Sequence, residues 1–272
     1  ERRRPANRIG FALQLCALRF PGRALNPGEV IPRPVLAFIG AQLGIPAEAL
    51  LTYASRRQTR QQHMDALRQI YGYKTFTGRG ARDFRVWLFR EAEEARSNED
   101  LARRFVVRCR ETQTILPAIS TIERMCADAL VAAERRIETR IARRIDGELR
   151  SRMTALLTET MPGNISRLVW LRKFEVGNNS ATANRLLDRL EFLQGLKLPN
   201  AILKGVPVHR VTRLKRQGER YFTDGLRDIG SDRRIAILAC CCGEWEAAIA
   251  DAVVETHDRI VGKTLREAKQ LH

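Results

Sequence analysis

The sequence predicts an all-α protein made of successive helix-turn-helix-like modules joined by a long spine helix. Apolar residues recur at three- and four-residue spacing through almost all of its 272 residues, the period of helices with one buried face. Glycine and proline gather at a few breaks, among them Phe20-Pro21-Gly22, Ile115-Leu116-Pro117 and Met161-Pro162-Gly163-Asn164. No stretch shows the strict alternation from which a large sheet could be built. The breaks predict three modules, at residues 1–80, 81–160 and 161–272. The chain starts at Glu1 and stops inside the helical pattern RIVGKTLREAKQLH, so a longer parent protein is expected.

Pro5 opens a first helix whose apolar face is Ile9, Phe11, Ala12, Leu15, Cys16 and Leu18. Arg2, Arg3 and Arg4 before it read either as a basic arm on DNA or as a solvated terminus. Residues 32–54 predict two short helices around Gly44, and Gly40, Gly44 and Leu50 stand where a helix-turn-helix must pack tightly.

The next stretch, RQTRQQHMDALRQIYGYKTF from Arg57 to Phe76, is the one around which the remainder is read. Thr59 is placed to cap its helix, with Met64, Leu67, Ile70 and Tyr71 on the buried face. Arg57, Arg60, Gln61, Gln62, His63 and Arg68 are expected on the opposite face. Gly72 stops the helix, and Lys74 and Thr75 lie in its extended exit. Guanidinium, amide and hydroxyl groups of this kind read base edges and clamp phosphates.

Thr77-Gly78-Arg79-Gly80-Ala81-Arg82 follows as a basic joint, without the lysine and hydroxyl of a phosphate-binding nucleotide loop. Phe84, Trp87, Leu88 and Ala92 mark the next helix, whose Glu91, Glu93 and Glu94 face is not suited to DNA. Asn98 is the expected cap of a helix carrying Arg103 and Arg104. After Pro117, Ser120 and Glu123 predict a capping box opening a helix with Thr121 and Arg124 in its first turns. This pair reads as a second DNA-reading module or as an ordinary helical hairpin. From Ala118 to Glu159 an apolar stripe at Ile137, Ile141, Ile145, Leu149, Met153 and Leu157 predicts one spine about 60 Å long at 1.5 Å per residue, with Gly147 its weak point. Beyond residue 161 come short amphipathic helices, a basic segment with Arg213, Lys215 and Arg216, and a last long helix capped by Asp232. Trp170, between Arg167 and Arg172, could stack on a base or sit in the core.

The formal charge is +17 with a pI near 10.6, which favours a polyanionic partner. Arginine supplies 41 of the 48 basic residues, and a planar guanidinium binds phosphate or guanine in two-pronged geometry. A GC-rich genome would also raise that ratio, but not the net charge. Residues 1–90 carry +11, residues 91–160 carry zero and residues 161–272 carry +6, so the first third is the strongest candidate for nucleic-acid contact. Six cysteines form no CxxC pair and read as buried free thiols in a reducing cytosol. There is no apolar run of about 18 residues and no signal peptide.

TRQQH followed by GYKTF resembles the N-terminal hallmark of Tn3-family transposases. RRRPANRIGFALQLCALRFPGR upstream, and LPAISTIERMCADAL, ISRLVWLR, LLDRLEFLQGL and DRRIAILACCCGEWEAAIADAVVE downstream, resemble further family segments in the family's order. The resemblance implies a bacterial, cytoplasmic, DNA-associated protein that recognises a transposon's terminal inverted repeats in replicative transposition. It also implies that an RNase H-like core with a metal-binding Asp, Asp, Glu set lies C-terminal to this chain. The chain is therefore expected to bind DNA without cutting it and to need no cofactor, a divalent metal such as Mg belonging to the parent's core.

Expected DNA contacts are Arg56, Arg57, Arg60, Gln61, His63, Arg68, Lys74, Thr75, Arg79 and Arg82 in the first module. Arg103, Arg104, Ser120, Thr121 and Arg124 are expected in the second, and Arg167, Arg213, Lys215 and Arg216 in the third. Expected partners are double-stranded transposon ends, the remainder of the transposase and a second protomer. The rival reading is a helical assembly scaffold that dimerises and binds DNA without sequence preference. A stand-alone helix-turn-helix repressor, binding a palindrome as a dimer, fits the ends of the chain less well.

Overall fold

The computed structural model describes residues 4–26, 28–53 and 57–270, and of residues 51, 52 and 57 the backbone alone. It is all-α, and the chain divides into two compact units, Glu1–Val131 and Ala132–His272.

In the first unit α1 (Pro5–Arg19) begins on proline, whose missing N–H costs nothing in a first turn. Its buried side chains are Ile9, Leu13, Gln14, Ala17 and Leu18, while Cys16 is exposed. The buried stripe is thus rotated from the expected one, because Gln14 is satisfied inside: its Oε1 accepts from the Leu25 N–H at 3.2 Å. Gly10 is required by packing, since a Cβ there would stand 2.4 Å from the Tyr53 ring.

α2 (Arg33–Leu43) ends at Gly44, whose φ of +64° is the left-handed conformation that glycine tolerates. At Gly40 a Cβ would meet the Ile45 carbonyl oxygen at 2.6 Å, so the expected tight turn is present. The segment after it is a 3-10 helix (Ala47–Thr52) rather than the second α-helix of a helix-turn-helix. Its bonds are of the i→i+3 kind, such as Ala49 N–H to Pro46 O at 3.1 Å and Tyr53 N–H to Leu50 O at 2.9 Å.

α3 (Arg57–Tyr71) packs Leu67 into the unit and stops at Gly72, φ +73°. Ile70 and Tyr71, expected inside, are exposed. The exit from α3 is pinned: the Lys74 N–H donates to Gln113 O at 2.8 Å, and the Ile115 N–H donates to Lys74 O at 2.9 Å. α4 (Gly78–Glu94) and α5 (Asn98–Glu111) close over an aromatic cluster in which Phe84 and Phe105 lie 5.1 Å apart and Phe76 lies 5.2 and 5.5 Å from them. The cap of α5 is Ser97, accepting from the Asp100 N–H at 3.1 Å, one residue before the expected Asn98. α6 (Ile119–Ala142) opens on the Ala118 carbonyl, which accepts from Thr121 and Ile122, so Ser120 falls inside the first turn rather than at the cap.

A salt bridge closes the loop between α1 and α2. The Arg23 guanidinium donates to both carboxylate oxygens of Glu29, and the Asn26 N–H adds a third donor. These bonds, the arginine's first, hold Glu29 down at about 2 against an ordinary 4.5. Because the folded value is depressed, the stability it contributes is complete above 4.5 and lost as pH falls through about 2. An NMR titration should find Glu29 near 2, and Arg23→Gln should return it toward 4.5.

The expected spine is not continuous. After α6 the chain tightens into i→i+3 bonds at Arg144 and Ile145, and Asp146 starts α7 (Gly147–Ala155) by accepting from the Leu149 N–H at 2.8 Å. The break precedes Gly147, and its cause is the competing cap. Ile145 and Leu149 stay buried on either side, so the apolar stripe survives the turn.

In the second unit a two-residue hairpin, β1 (Thr160–Met161) with β2 (Ile165–Ser166), encloses the Pro162-Gly163-Asn164 turn. α8 (Arg167–Arg172), α9 (Ser180–Gly195), α10 (Val208–Arg220) and α11 (Thr223–Asp228) follow. Of these α9 and α10, together with α7, pack on α12 (Ser231–Gln270), a 40-residue helix and the longest among the described residues. Residues Ile235 to Cys242 are all buried, as in a helix enclosed on every side. Gly218 brings α10 close, since a Cβ there would stand 2.4 Å from Cys241 Sγ. Trp170 takes the core reading: it packs on Phe192, with the Arg189 guanidinium 4.7 Å from its ring.

Candidate nucleic-acid interface

The outward face of α3 is amide-rich. Gln58, Gln61, Gln62 and Gln69 are exposed. Asp65 takes up part of the face, with Arg68 at 3.1 Å and Gln61 Nε2 at 3.4 Å. Arg60 and Arg68 are half-buried. Arg56 lies outside the described residues, and Arg57 is described by its backbone in the first turn of α3.

His63 departs from the expected outward face. It is 3% exposed, stacked on Tyr53 at 5.6 Å and edge-on to Phe11 at 5.4 Å, with Nδ1 3.3 Å from the Tyr53 hydroxyl. An imidazole placed there holds α3 against α1 and the 3-10 helix and cannot reach a base. Its aromatic body outweighs its polar edge in a site lined by two other rings.

Beside α3 lies the start of α4. Gly78 has φ +56°, Thr77 makes no side-chain cap, and its hydroxyl instead meets that of Thr75 at 3.1 Å. Helix N-termini favour carboxylates, by roughly 0.3–1 kcal/mol each. This first turn holds none and carries Arg79, with Arg82 opening the next turn, both exposed and with no ion-pair partner among the described residues. Asp83 follows Arg82, and the other acids of α4 sit at its C-terminal end, where Glu91 pairs with Arg104 at 3.0 Å. Apart from Asp83 and Arg90, the charge order on α4 is therefore the reverse of the one its own dipole favours. A Cβ added at Gly78 would meet nothing within 4 Å, and one at Gly80 only the Thr75 carbonyl, at 3.9 Å. The N-terminal N–H groups of α4, Lys74, Arg79 and Arg82 thus form an open, cationic donor surface of the kind that binds phosphate.

The cations expected in the second and third modules are mostly matched by carboxylates. Arg103 pairs with Glu99 at 2.5 Å, and Arg104 pairs with Glu91 and Asp100. The hydrogen bonds it donates to Glu91 and Asp100 raise Arg104 above its ordinary value, and the Arg96 N–H with Arg104 lowers Asp100. Arg167 pairs with Glu159 at 2.5 Å and lies 4.5 Å from the Phe192 ring centre. Arg213 meets Glu134 at 2.5 Å, and Lys215 meets Glu244 and Glu219 at 3.4 and 3.9 Å. Arg124 and Arg216 are exposed with no ion pair among the described residues, Ser120 is exposed, and Thr121 is half-buried.

Two sets of cations escaped the sequence reading. Arg85, exposed on α4 three residues after Arg82, extends the α4 surface, and helical spacing would have found it. The second set is Arg135, Arg136, Arg140, Arg143 and Arg144 around the end of α6. A zero net charge over residues 91–160 concealed them, because the acids of that region lie elsewhere or face inward.

Among the described residues no group of three or more His, Cys, Asp or Glu could hold a metal ion. Burial pushes the thiols of Cys109, Cys240 and Cys241 to about 12 and that of Cys126 to about 11, so they stay protonated in the core. Among the described residues no helix is long and apolar enough to cross a membrane.

Residues 1–129, nearly the span of the first unit, match a family described as a domain of unknown function, DUF4158. Over all of its length the chain is 35% identical to the transposase for transposon Tn3926 of Escherichia coli and 34% to that for transposon Tn21 of the same species. It is 33% identical to the transposase for transposon Tn501 of Pseudomonas aeruginosa. It spans 28% of the length of each of these relatives.

Proposed function

For a chain that belongs to the Tn3-family transposases and spans about 28% of their length, we propose sequence-specific binding to the terminal inverted repeats of its transposon. Strand cleavage by a metal-dependent Asp, Asp, Glu core is then the work of the remainder of the transposase. The observation that carries this reading is the reversed charge order of α4. Exposed Arg79 and Arg82 crowd an uncapped helix start at some cost to the fold, and a phosphate is the partner that would offset it. The backbone grip sets register, while the exposed amides of α3 meet base edges, Gln61 by exchanging its 3.4 Å bond to Asp65 for one to a base, as glutamine meets adenine through two hydrogen bonds. Three helical modules, a parent transposase and a second protomer complete the proposal.

Fluorescence anisotropy with a terminal-repeat duplex and a scrambled duplex tests it. The repeat should bind at least 10-fold tighter at physiological salt. Gln61→Ala should narrow that ratio by about 10-fold, since a bidentate base contact is worth about 1–3 kcal/mol. Equal affinity for both duplexes would remove end recognition.

One observation favours the scaffold reading as a second possibility. Val254, Val261 and Leu265 are exposed on α12 at spacings that share one helix face. Sedimentation of the free chain discriminates: self-association without DNA, abolished by Val261→Glu, would support it, and a monomer would exclude it.

A further inference from the structure

We infer that the end of α6 and the loop beside it form a second, sequence-independent grip on the phosphate backbone of duplex DNA. The inference rests on DNA being the partner, but not on recognition of any particular sequence. Two rows, Arg135-Thr139-Arg143 and Arg136-Arg140-Arg144, run side by side at four-residue spacing and line one open groove. From Arg135 to Arg144 they extend about 14 Å at 1.5 Å per residue, enough to follow several phosphates of one strand.

The charges are segregated. No carboxylate lines the groove. The two acids of the same turns face away from it. Glu134 meets Arg210 at 3.5 Å and Arg213 at 2.5 Å, and Glu138 is 8% exposed with Arg233 at 3.7 Å. Burial raises Glu138 above its ordinary value, as expected of an inward-facing acid.

Part of the rows is held in place without loss of charge. Arg144 Nη1 donates to the carbonyls of Ala201, Ile202 and Lys204 at 3.1, 2.9 and 2.7 Å, and Arg140 Nη1 donates to that of Gly205 at 3.2 Å. Neutral carbonyls fix a guanidinium while leaving it cationic. The same bonds bring the exposed Lys204 to the rim of the groove. Arg135 and Arg143 are exposed and make no ion pair among the described residues. Like charges at this spacing repel, so the exposed Arg135 and Arg143 do not serve the helix. A regular polyanion is the ligand whose charge spacing matches it, and the rows present no amide to read a base.

The test uses Arg135→Gln/Arg143→Gln, whose side chains make no hydrogen bond or ion pair among the described residues, against Arg220→Gln/Lys269→Gln, which removes the same charge from exposed sites elsewhere. Affinity is measured on the terminal-repeat and the scrambled duplex from low to physiological salt. The α6 variant should lower the slope of log K against log salt by about two units on both duplexes, near 0.9 per lost phosphate contact. Its repeat-to-scrambled ratio should stay unchanged, the control should keep the parent slope, and Arg135→Lys/Arg143→Lys should restore most of it. A slope for the α6 variant no lower than that of the control would overturn the inference, whether or not binding to anionic vesicles is lost. If the parent chain binds both duplexes equally, end recognition fails while the slope still decides this inference.

Discussion

Replacing Arg79 and Arg82 together by glutamine should weaken the complex with a terminal-repeat duplex on the order of 100-fold at physiological salt. Each would give up a charge-assisted hydrogen bond worth about 1.5 kcal/mol, and about 3 kcal/mol is close to that factor. The slope of log K against log salt should fall by about two units. Neither side chain has an ion-pair partner among the described residues, so folding should not suffer. Removing two cations near the start of α4 relieves an unfavourable dipole contact, so the variant should be at least as stable as the parent. A gain in thermal stability together with a loss of affinity would separate this outcome from misfolding. Unchanged affinity would show that the uncapped start of α4 has some other use.

Phe105→Ala should be the most damaging single substitution in the first unit. Phe105 is fully buried and touches both Phe76 and Phe84, so truncation empties the space between α5, α4 and the exit from α3. A buried phenylalanine cut to alanine costs about 3–5 kcal/mol, much of the stability of a domain of this size. The same ring packs with Phe76 of the exit from α3 and with Phe84 of α4, so DNA affinity should fall with the fold. Denaturant unfolding followed by the signal of Trp87, 6.1 Å from Phe84, measures the loss. A midpoint displaced by less than that of a surface substitution would mean that the cluster does not hold these elements together.

The helical architecture was legible because one-faced periodicity is local information, and so were Gly40, Gly44 and Gly72, whose backbone demands are local too. His63 was not. At a helix position next to two glutamines it reads as outward, and only the rings of Tyr53 and Phe11, distant in sequence, make its site aromatic and dry. The rotation of α1 has the same origin, since Gln14 is inside only because the Leu25 N–H reaches it. The spine broke at Asp146 for a reason that is local but easily outvoted: an apolar stripe of period four continues straight through the turn.

For the interface, sequence marked where cations are concentrated but not which are free. Arg103, Arg104, Arg167 and Arg213 look like their neighbours on paper, yet each has a carboxylate within 3.0 Å. Some of those acids lie four residues away and others far along the chain, as Glu134 does from Arg213. Arg135 and Arg143 show the opposite error, being lost in a regional sum although the nearby Glu134 and Glu138 turn to Arg210, Arg213 and Arg233. Charge counts find a basic protein; pairing finds its surface.

The most direct measurement is a hydroxyl-radical footprint of the chain on a long duplex that carries one terminal inverted repeat within unrelated sequence, at physiological salt. Recognition of transposon ends predicts protection confined to the repeat and weakened there by Gln61→Ala. Protection spread evenly along the duplex, or present only at low salt, would contradict it and leave a basic helical scaffold without sequence preference.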